Sequence, residues 1–218
     1  MIPILQLEMP PRRRTRPISS VFGYDRGPQS VARYYVDAFI YSHSDDIRGR
    51  VLEVGDTRYS SRFGDVVRRD VLHIAPGNPA ATIVADLSAA DNIPDDTFDC
   101  MILTQTLQCI YDVAAAVHHI HRVLRPGGCV LATLSGISQV SRPDMDRWGE
   151  FWHFTPRSAS LLFEPVFSPQ CVTMECHGNI GSAMALLYGL AAREVSPELL
   201  ARRDKCYPIV IGVRAAKR

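Results

Sequence analysis

The chain has 218 residues, 46% hydrophobic and 22% charged, which is near the average of folded domains and enough for one α/β domain with a sizeable core. A formal net charge of +1 supplies no overall field for nucleic acid, and no apolar run approaches the ~20 residues of a membrane span. None of the six cysteines forms a C-x-x-C pair, and several lie in apolar runs, so reduced thiols and a cytoplasmic protein are expected. Met1 to Pro10 lacks the charged start and apolar core of a secretory signal.

Residues 1–27 are rich in Pro and Arg and read as an irregular basic tail, its cluster Arg12-Arg13-Arg14-Thr15-Arg16 solvated rather than a binding arm. Residues 28–218 read as one domain. A helix is predicted over Val31–His43, capped by Ser30, with Val31, Tyr34, Tyr35, Ala38 and Phe39 on its apolar face. Strands follow at Arg50–Val54, Val71–Ala75, Thr82–Ala85 and Phe98–Thr104. A helix over Val113–Leu124 is stopped by Arg125-Pro126-Gly127-Gly128 before a strand at Cys129–Leu134. Beyond residue 170 come a strand at Val172–Cys176, a helix at Ala183–Ala192, another opened by Ser196-Pro197-Glu198, and a last strand at Tyr207–Val213. Continuous apolar strands alternating with helices predict a Rossmann-like, doubly wound α/β sheet.

In such a sheet a ligand lies beyond the carboxyl ends of the strands. That places Glu53 to Asp56, His73 to Pro76, Asp86-Leu87 and Leu103 to Thr106 at the site. Asp86 can accept from an adenine amino group, and Glu53 can hold a cationic head.

Strand-Glu53-Val54-Gly55, then Val84-Ala85-Asp86-Leu87, Ile93-Pro94-Asp95-Asp96-Thr97-Phe98-Asp99 and Val123-Leu124-Arg125-Pro126-Gly127-Gly128 occur in that order. This set resembles the class I S-adenosylmethionine-dependent methyltransferases of the small-molecule type. Ala32-Arg33-Tyr34-Tyr35, Pro76-Gly77-Asn78-Pro79, Leu103 to Gln108 and Met145-Asp146-Arg147-Trp148-Gly149 resemble a bacterial branch often found beside glycosyltransferases. The resemblance implies S-adenosylmethionine as cofactor and a seven-stranded sheet of order 3-2-1-4-5-7-6, its last strand antiparallel. It implies that Glu53 and Gly55 meet the methionine and ribose of the cofactor, that Asp86 and Leu87 meet the adenine, that Gln105 and Thr106 form the floor, and that the helix of Tyr34 covers it. Two features depart from the wider pattern: Thr57 and Tyr59 stand in the turn where glycines are common, and Ala75 stands where a carboxylate usually grips the ribose. Asp56 is the expected substitute.

An acceptor-side insertion is expected at about 137–165, with Ser138 to Phe154 as its wall. Both tryptophans, Trp148 and Trp152, lie there with Arg142, Asp144 and His153. His153 is the first candidate base and Asp144 the second; Arg142, Trp148 and Trp152 are candidate substrate contacts, although tryptophans at helical spacing are more often core. His118, His119 and His121 read as exposed helix histidines, so no metal is expected. Methylation of a small metabolite at oxygen or nitrogen is the leading reading, with a sugar or glycosylated product as acceptor. A cyclase or rearrangement catalyst on the same fold, or a noncatalytic partner, are the alternatives. The expected partner is a small molecule rather than nucleic acid or membrane, and a homodimer is compatible with the chain.

Overall fold

The computed structural model describes residues 15–63 and 65–218. Arg12, Arg13 and Arg14 of the basic cluster lie outside the described residues. Strands β1 (Gly49–Val54), β2 (Val66–His73), β3 (Ile83–Val84), β4 (Phe98–Thr104), β5 (Leu124–Ser135), β6 (Val172–His177) and β7 (Val210–Ala216) form one sheet of order β3-β2-β1-β4-β5-β7-β6. The first five pair in parallel, and β7 runs antiparallel to both β5 and β6. The order and the reversed last strand are those the sequence led us to expect.

Neighbouring strand residues point to opposite faces. Leu52, Met101, Leu103, Val130 and Ala132 pack on one side, against α2 (Val113–Val123) and α4 (Pro156–Phe167). Val51, Cys100, Ile102, Cys129 and Leu131 pack on the other, with α1 (Val31–Ser42) and α5 (Ile180–Tyr188). Both faces are covered, which is why the strands read as unbroken apolar runs. Helix α1 starts at Ser30, whose side chain accepts from the Arg33 amide, but its buried stripe is Val31, Tyr35, Val36, Phe39 and Ile40. Ala38 is exposed and Tyr34 half-buried.

Strand β2 begins five residues before the predicted Val71 and stops at His73, short of Ala75. Its charged stretch Arg68-Arg69-Asp70 concealed it. Asp70 is buried, yet Arg50 donates to it at 2.7 Å and Thr82 at 3.0 Å, so its charge is compensated. Helix α5 starts three residues before the predicted Ala183 because Asn179 and Ser182 form a reciprocal cap, and it ends at Gly189 in the left-handed region (φ +85°). Two helices were not foreseen, α3 (Arg142–Arg147) and α4.

The stretch expected as a solvated tail is docked from Ile18 onward. The Ile18 amide donates to the Tyr188 carbonyl at 2.9 Å, and Arg26 forms a bidentate pair with Glu194 just before α6 (Pro197–Ala201). This segment becomes one wall of the cavity described next.

Candidate functional site

Strand β1 runs into Gly55, whose φ of +87° is strained for any side chain, and a Cβ there would meet no atom within 4 Å. Gly77, after β2, has φ +112° and the same open surroundings. Asn78 Nδ2 donates to the Gly55 carbonyl at 2.7 Å, so the two turns form one crevice edge. One glycine per turn leaves backbone open to a ligand here, without the alternating glycines of a dinucleotide cradle.

Glu53 is buried, and its carboxylate accepts from the Tyr59 amide at 3.0 Å and the Ser60 amide at 2.9 Å. Burial raises its pKa, against the opposing pull of those amides. Its geometry is that of a fastener for the loop 55–60. The Tyr59 hydroxyl donates to Asp37 at 2.6 Å and accepts from Arg33 at 2.9 Å, which ties the loop to α1. Tyr59, at a position where a glycine is common, is therefore a buried anchor.

Asp56 is exposed, and only its Oδ1 is engaged, accepting from the Arg58 amide at 2.8 Å. Asp86 likewise uses Oδ1 alone, for the Ser88 amide and hydroxyl at 2.8 and 2.7 Å. The Oδ2 atoms of both have no hydrogen-bond partner among the described residues. The Leu87 side chain is in the core, which leaves its backbone as what it offers the crevice. At the end of β2, His73 Nδ1 lies 3.2 Å from the Ala75 amide, and its ring meets Trp148 edge-on at 5.4 Å.

Strand β4 runs into Gln105, a non-glycine residue with φ +51°. Such backbone strain concentrates at ligand sites. The Gln105 amide donates to the Thr133 carbonyl at 3.0 Å and to Thr133 Oγ1 at 3.1 Å, while Gln105 Oε1 accepts from Gln108 Nε2 at 3.0 Å. Thr106 is half-buried, its hydroxyl donating to the Thr104 carbonyl at 3.2 Å.

Beside Gln105 opens a cavity of about 340 Å³. Its walls are Ser20 to Phe22 and Tyr24 from the docked N-terminal segment, Arg33 and Val36 of α1, Gln105 and Gln108 after β4, Ser135 at the end of β5, and Asp144 with Glu150 from the acceptor side. The volume lies within the range of small-ligand sites. Tyr34 is not in this wall; its ring stands edge-on to Tyr35 at 5.3 Å.

His153 is also outside the cavity lining. It is exposed, with Nε2 3.3 Å from Glu150 Oε1, while Glu150 Oε2 accepts from the Ser141 amide at 2.6 Å. Glu150 thus reaches the cavity with an imidazole behind it. Asp144 lines the cavity with no side-chain hydrogen-bond partner among the described residues. Arg142 pairs with Asp146 at 2.6 Å on the surface of α3. The tryptophans share no helix, because α3 ends at Arg147 and Gly149 follows with φ +86°. Nor are they core: Trp148 is half-buried on His73, and Trp152 is exposed, donating to the Ile110 carbonyl at 3.0 Å. Sequence reasoning missed Arg33, Gln108 and Glu150, although the first two stand inside motifs it singled out. Burial pushes the Cys109 thiol up to about 11, so it carries no thiolate near neutral pH.

The sheet order, the open turn at Gly55 and the acids after β1 and β3 coincide with a family match. Residues 59–132 match the methyltransferase domain family. With the sheet order, that match over about a third of the chain supports a class I S-adenosylmethionine-dependent methyltransferase. Its fold is shared by an S-adenosylmethionine-dependent methyltransferase from Archaeoglobus fulgidus (11% identity, 84% of this chain and 94% of that one, TM-score 0.55). It is also shared by the 1,6-didemethyltoxoflavin-N1-methyltransferase of Burkholderia thailandensis (14%, 91% and 84%, TM-score 0.53). The cyclase SpnF has the same fold (16%, 84% and 80%, TM-score 0.55). At these identities the likeness is one of fold alone. The search of curated proteins returns no match.

The residues present fit the family's cofactor. Two turns expose backbone on one crevice, and two acids keep an oxygen free beside it. The position that does not fit is Ala75, whose methyl cannot grip a ribose.

Proposed function

We propose that this methyltransferase moves a methyl group from S-adenosylmethionine to an oxygen or nitrogen of a small molecule held in the cavity beside Gln105. The observation that carries this reading is the cavity lined by Gln105, Gln108, Asp144 and Glu150 after β4. In the same sheet, β1 and β2 run into the open turns of Gly55 and Gly77.

The cofactor, when bound, supplies a methyl already activated by a sulfonium charge. What remains for the protein is mostly placement. Gly55 admits the cofactor against the backbone, Asp86 accepts from its adenine, and Asp56 stands in for the missing ribose carboxylate. Gln105 holds the floor between the two ligands. An O–H or charged N–H acceptor must lose a proton, and Glu150 and Asp144 are the carboxylates positioned to take it. His153, 3.3 Å behind Glu150, is placed to relay that proton to solvent.

Calorimetry with S-adenosylmethionine and S-adenosylhomocysteine tests the cofactor half. The reading requires binding of at least one below millimolar concentration, and no heat from either would reject it. Ala75 favours a second reading, in which the fold accelerates a cyclisation without transferring methyl; the neighbour SpnF is named a cyclase. Release of one S-adenosylhomocysteine per product would exclude that reading.

A further inference from the structure

Gln108 follows β4 in a short turn and is only 6% exposed. Its Nε2 end is engaged, donating to Gln105 Oε1 at 3.0 Å. Its Oε1 end is buried and accepts no hydrogen bond among the described residues. Turning the amide over does not cure this. It would set two carbonyl oxygens against each other, because Gln105 presents Oε1 to Gln108 and its own Nε2 faces Thr133 Oγ1 at 3.4 Å. With Gln105 Nε2 donating to Thr133 Oγ1 as placed, the orphan at the end of the chain is an acceptor.

Buried acceptors without donors are rare in folded proteins and call for a specific cause. Gln108 lines the cavity, so the missing donor is one a ligand can bring. The terminal amide torsion is soft, and a small rotation presents Oε1 to the cavity without backbone movement. Two further side chains of the wall, Asp144 and Glu150, are acceptors as well. Among the described lining residues the one cationic side chain, Arg33, donates to the Tyr59 hydroxyl at 2.9 Å.

We propose that Gln108 is a specificity-determining residue that accepts a hydrogen bond from an O–H or N–H of the methyl acceptor, so that the acceptor is a polyol or an amine and not a ligand bearing only acceptor groups. This rests on the methyltransferase reading and narrows its substrate class. The site reads one end of the molecule: a donor meets Gln108, and the carboxylates of Asp144 and Glu150 favour further donors or a positive charge beside it.

The test is saturation-transfer NMR on the protein with S-adenosylhomocysteine bound, using D-glucose, cyclohexylamine and D-glucosamine as donor-bearing rings and tetrahydropyran as a ring with no donor. Transfer to at least one donor-bearing ring is expected, with the glucose and cyclohexylamine arms separating polyol from amine. Gln108→Leu should weaken that transfer at least fivefold and leave tetrahydropyran unchanged. Gln108→Glu keeps an acceptor and adds charge, so it should retain the signal and strengthen it at least twofold for an amine. Unfolding spectra of both variants check folding; if the Leu variant does not fold, Gln108→Met takes its place. Equal transfer in wild type and the apolar variant, or no transfer to any donor-bearing ring, overturns the assignment of Gln108. Binding of S-adenosylhomocysteine by calorimetry is read separately. If it fails, the methyltransferase reading falls and this inference with it; if it holds while the rings fail, only the inference falls.

Discussion

Glu53 and Tyr59 stand six residues apart and are joined twice over, the Tyr59 amide donating to Glu53 at 3.0 Å while the Tyr59 ring is buried beneath α1. The acidic end of β1 and the tyrosine after the turn thus form one device that fixes the loop over the crevice. Glu53→Ala orphans two buried amides, each worth ~1–3 kcal/mol, for a net loss of about 3 kcal/mol. In a domain of this size that lowers the melting temperature by roughly 6–12 °C. Glu53→Gln keeps one acceptor and should lose about half as much. Thermal denaturation of the two variants decides this, and equal melting of Glu53→Ala and wild type would reject the fastening role.

Gln105 sets a backbone choice against a side-chain role. Its φ of +51° is unfavourable for an L residue and acutely so for a branched one. Gln105→Gly removes the strain along with the bond from Gln108, and should melt within ~2 °C of wild type. Gln105→Val should lose ~2 kcal/mol or more. Turnover is expected to fall at least tenfold in both. If Gln105→Gly keeps wild-type turnover, the side chain has no place in the site.

Much of this arrangement was legible in the sequence. Phe98 to Thr104 was bounded correctly because both faces of β4 are covered and its apolar run is unbroken. Strand β2 was half missed, since Asp70 and Arg68 break the run and only the fold supplies their partners. The turns proposed for the cofactor could be located because they are local: Gly55, Asp56 and Asp86 each follow a strand by one or two positions. The walls of the cavity could not be located so, because they come from distant parts of the chain. Glu150 escaped notice beside His153, since which of two neighbours faces a cavity depends on the backbone after Gly149. The N-terminal wall escaped for the same reason. Its composition resembles a tail, and what holds it down is long-range: the Arg26–Glu194 pair, the Tyr188 carbonyl and the bond from Gln139 to the Ser20 carbonyl.

His177 makes the stability depend on pH. It is 2% exposed between Tyr35 and Phe39, and burial lowers its pKa from 6.5 to about 4. Arg203 and His43 push the same way, and Glu175 opposes them. Between those two values the unfolded chain takes up a proton that the folded chain refuses, so stability is full above pH 6.5 and falls as the pH drops toward 4. The loss attributable to this group is about 3 kcal/mol. Asp46 works in the same direction at lower pH, since its hydrogen bond from Arg214 holds its pKa below the usual carboxylate value. His177→Phe should flatten the urea midpoint between pH 6.5 and 4 relative to wild type, and an unchanged slope would show that the titration lies elsewhere.

Glu150 and His153 offer the sharpest division of labour. Only Glu150 lines the cavity, and its Oε1 lies 3.3 Å from the imidazole behind it. If Glu150 takes the acceptor's proton, Glu150→Gln keeps the Ser141 contact and the wall but removes the base, and turnover should fall by ~10²–10⁴. Cofactor affinity should stay within twofold, since neither residue lies at the Gly55 crevice. His153→Ala leaves the carboxylate in place and should cost less than ~10-fold in turnover. Methylation rates of both variants across pH, on an acceptor identified by its S-adenosylhomocysteine release, give the answer. A larger loss from His153→Ala than from Glu150→Gln would return the role of base to the histidine and would require the loop 149–153 to turn His153 into the cavity before transfer.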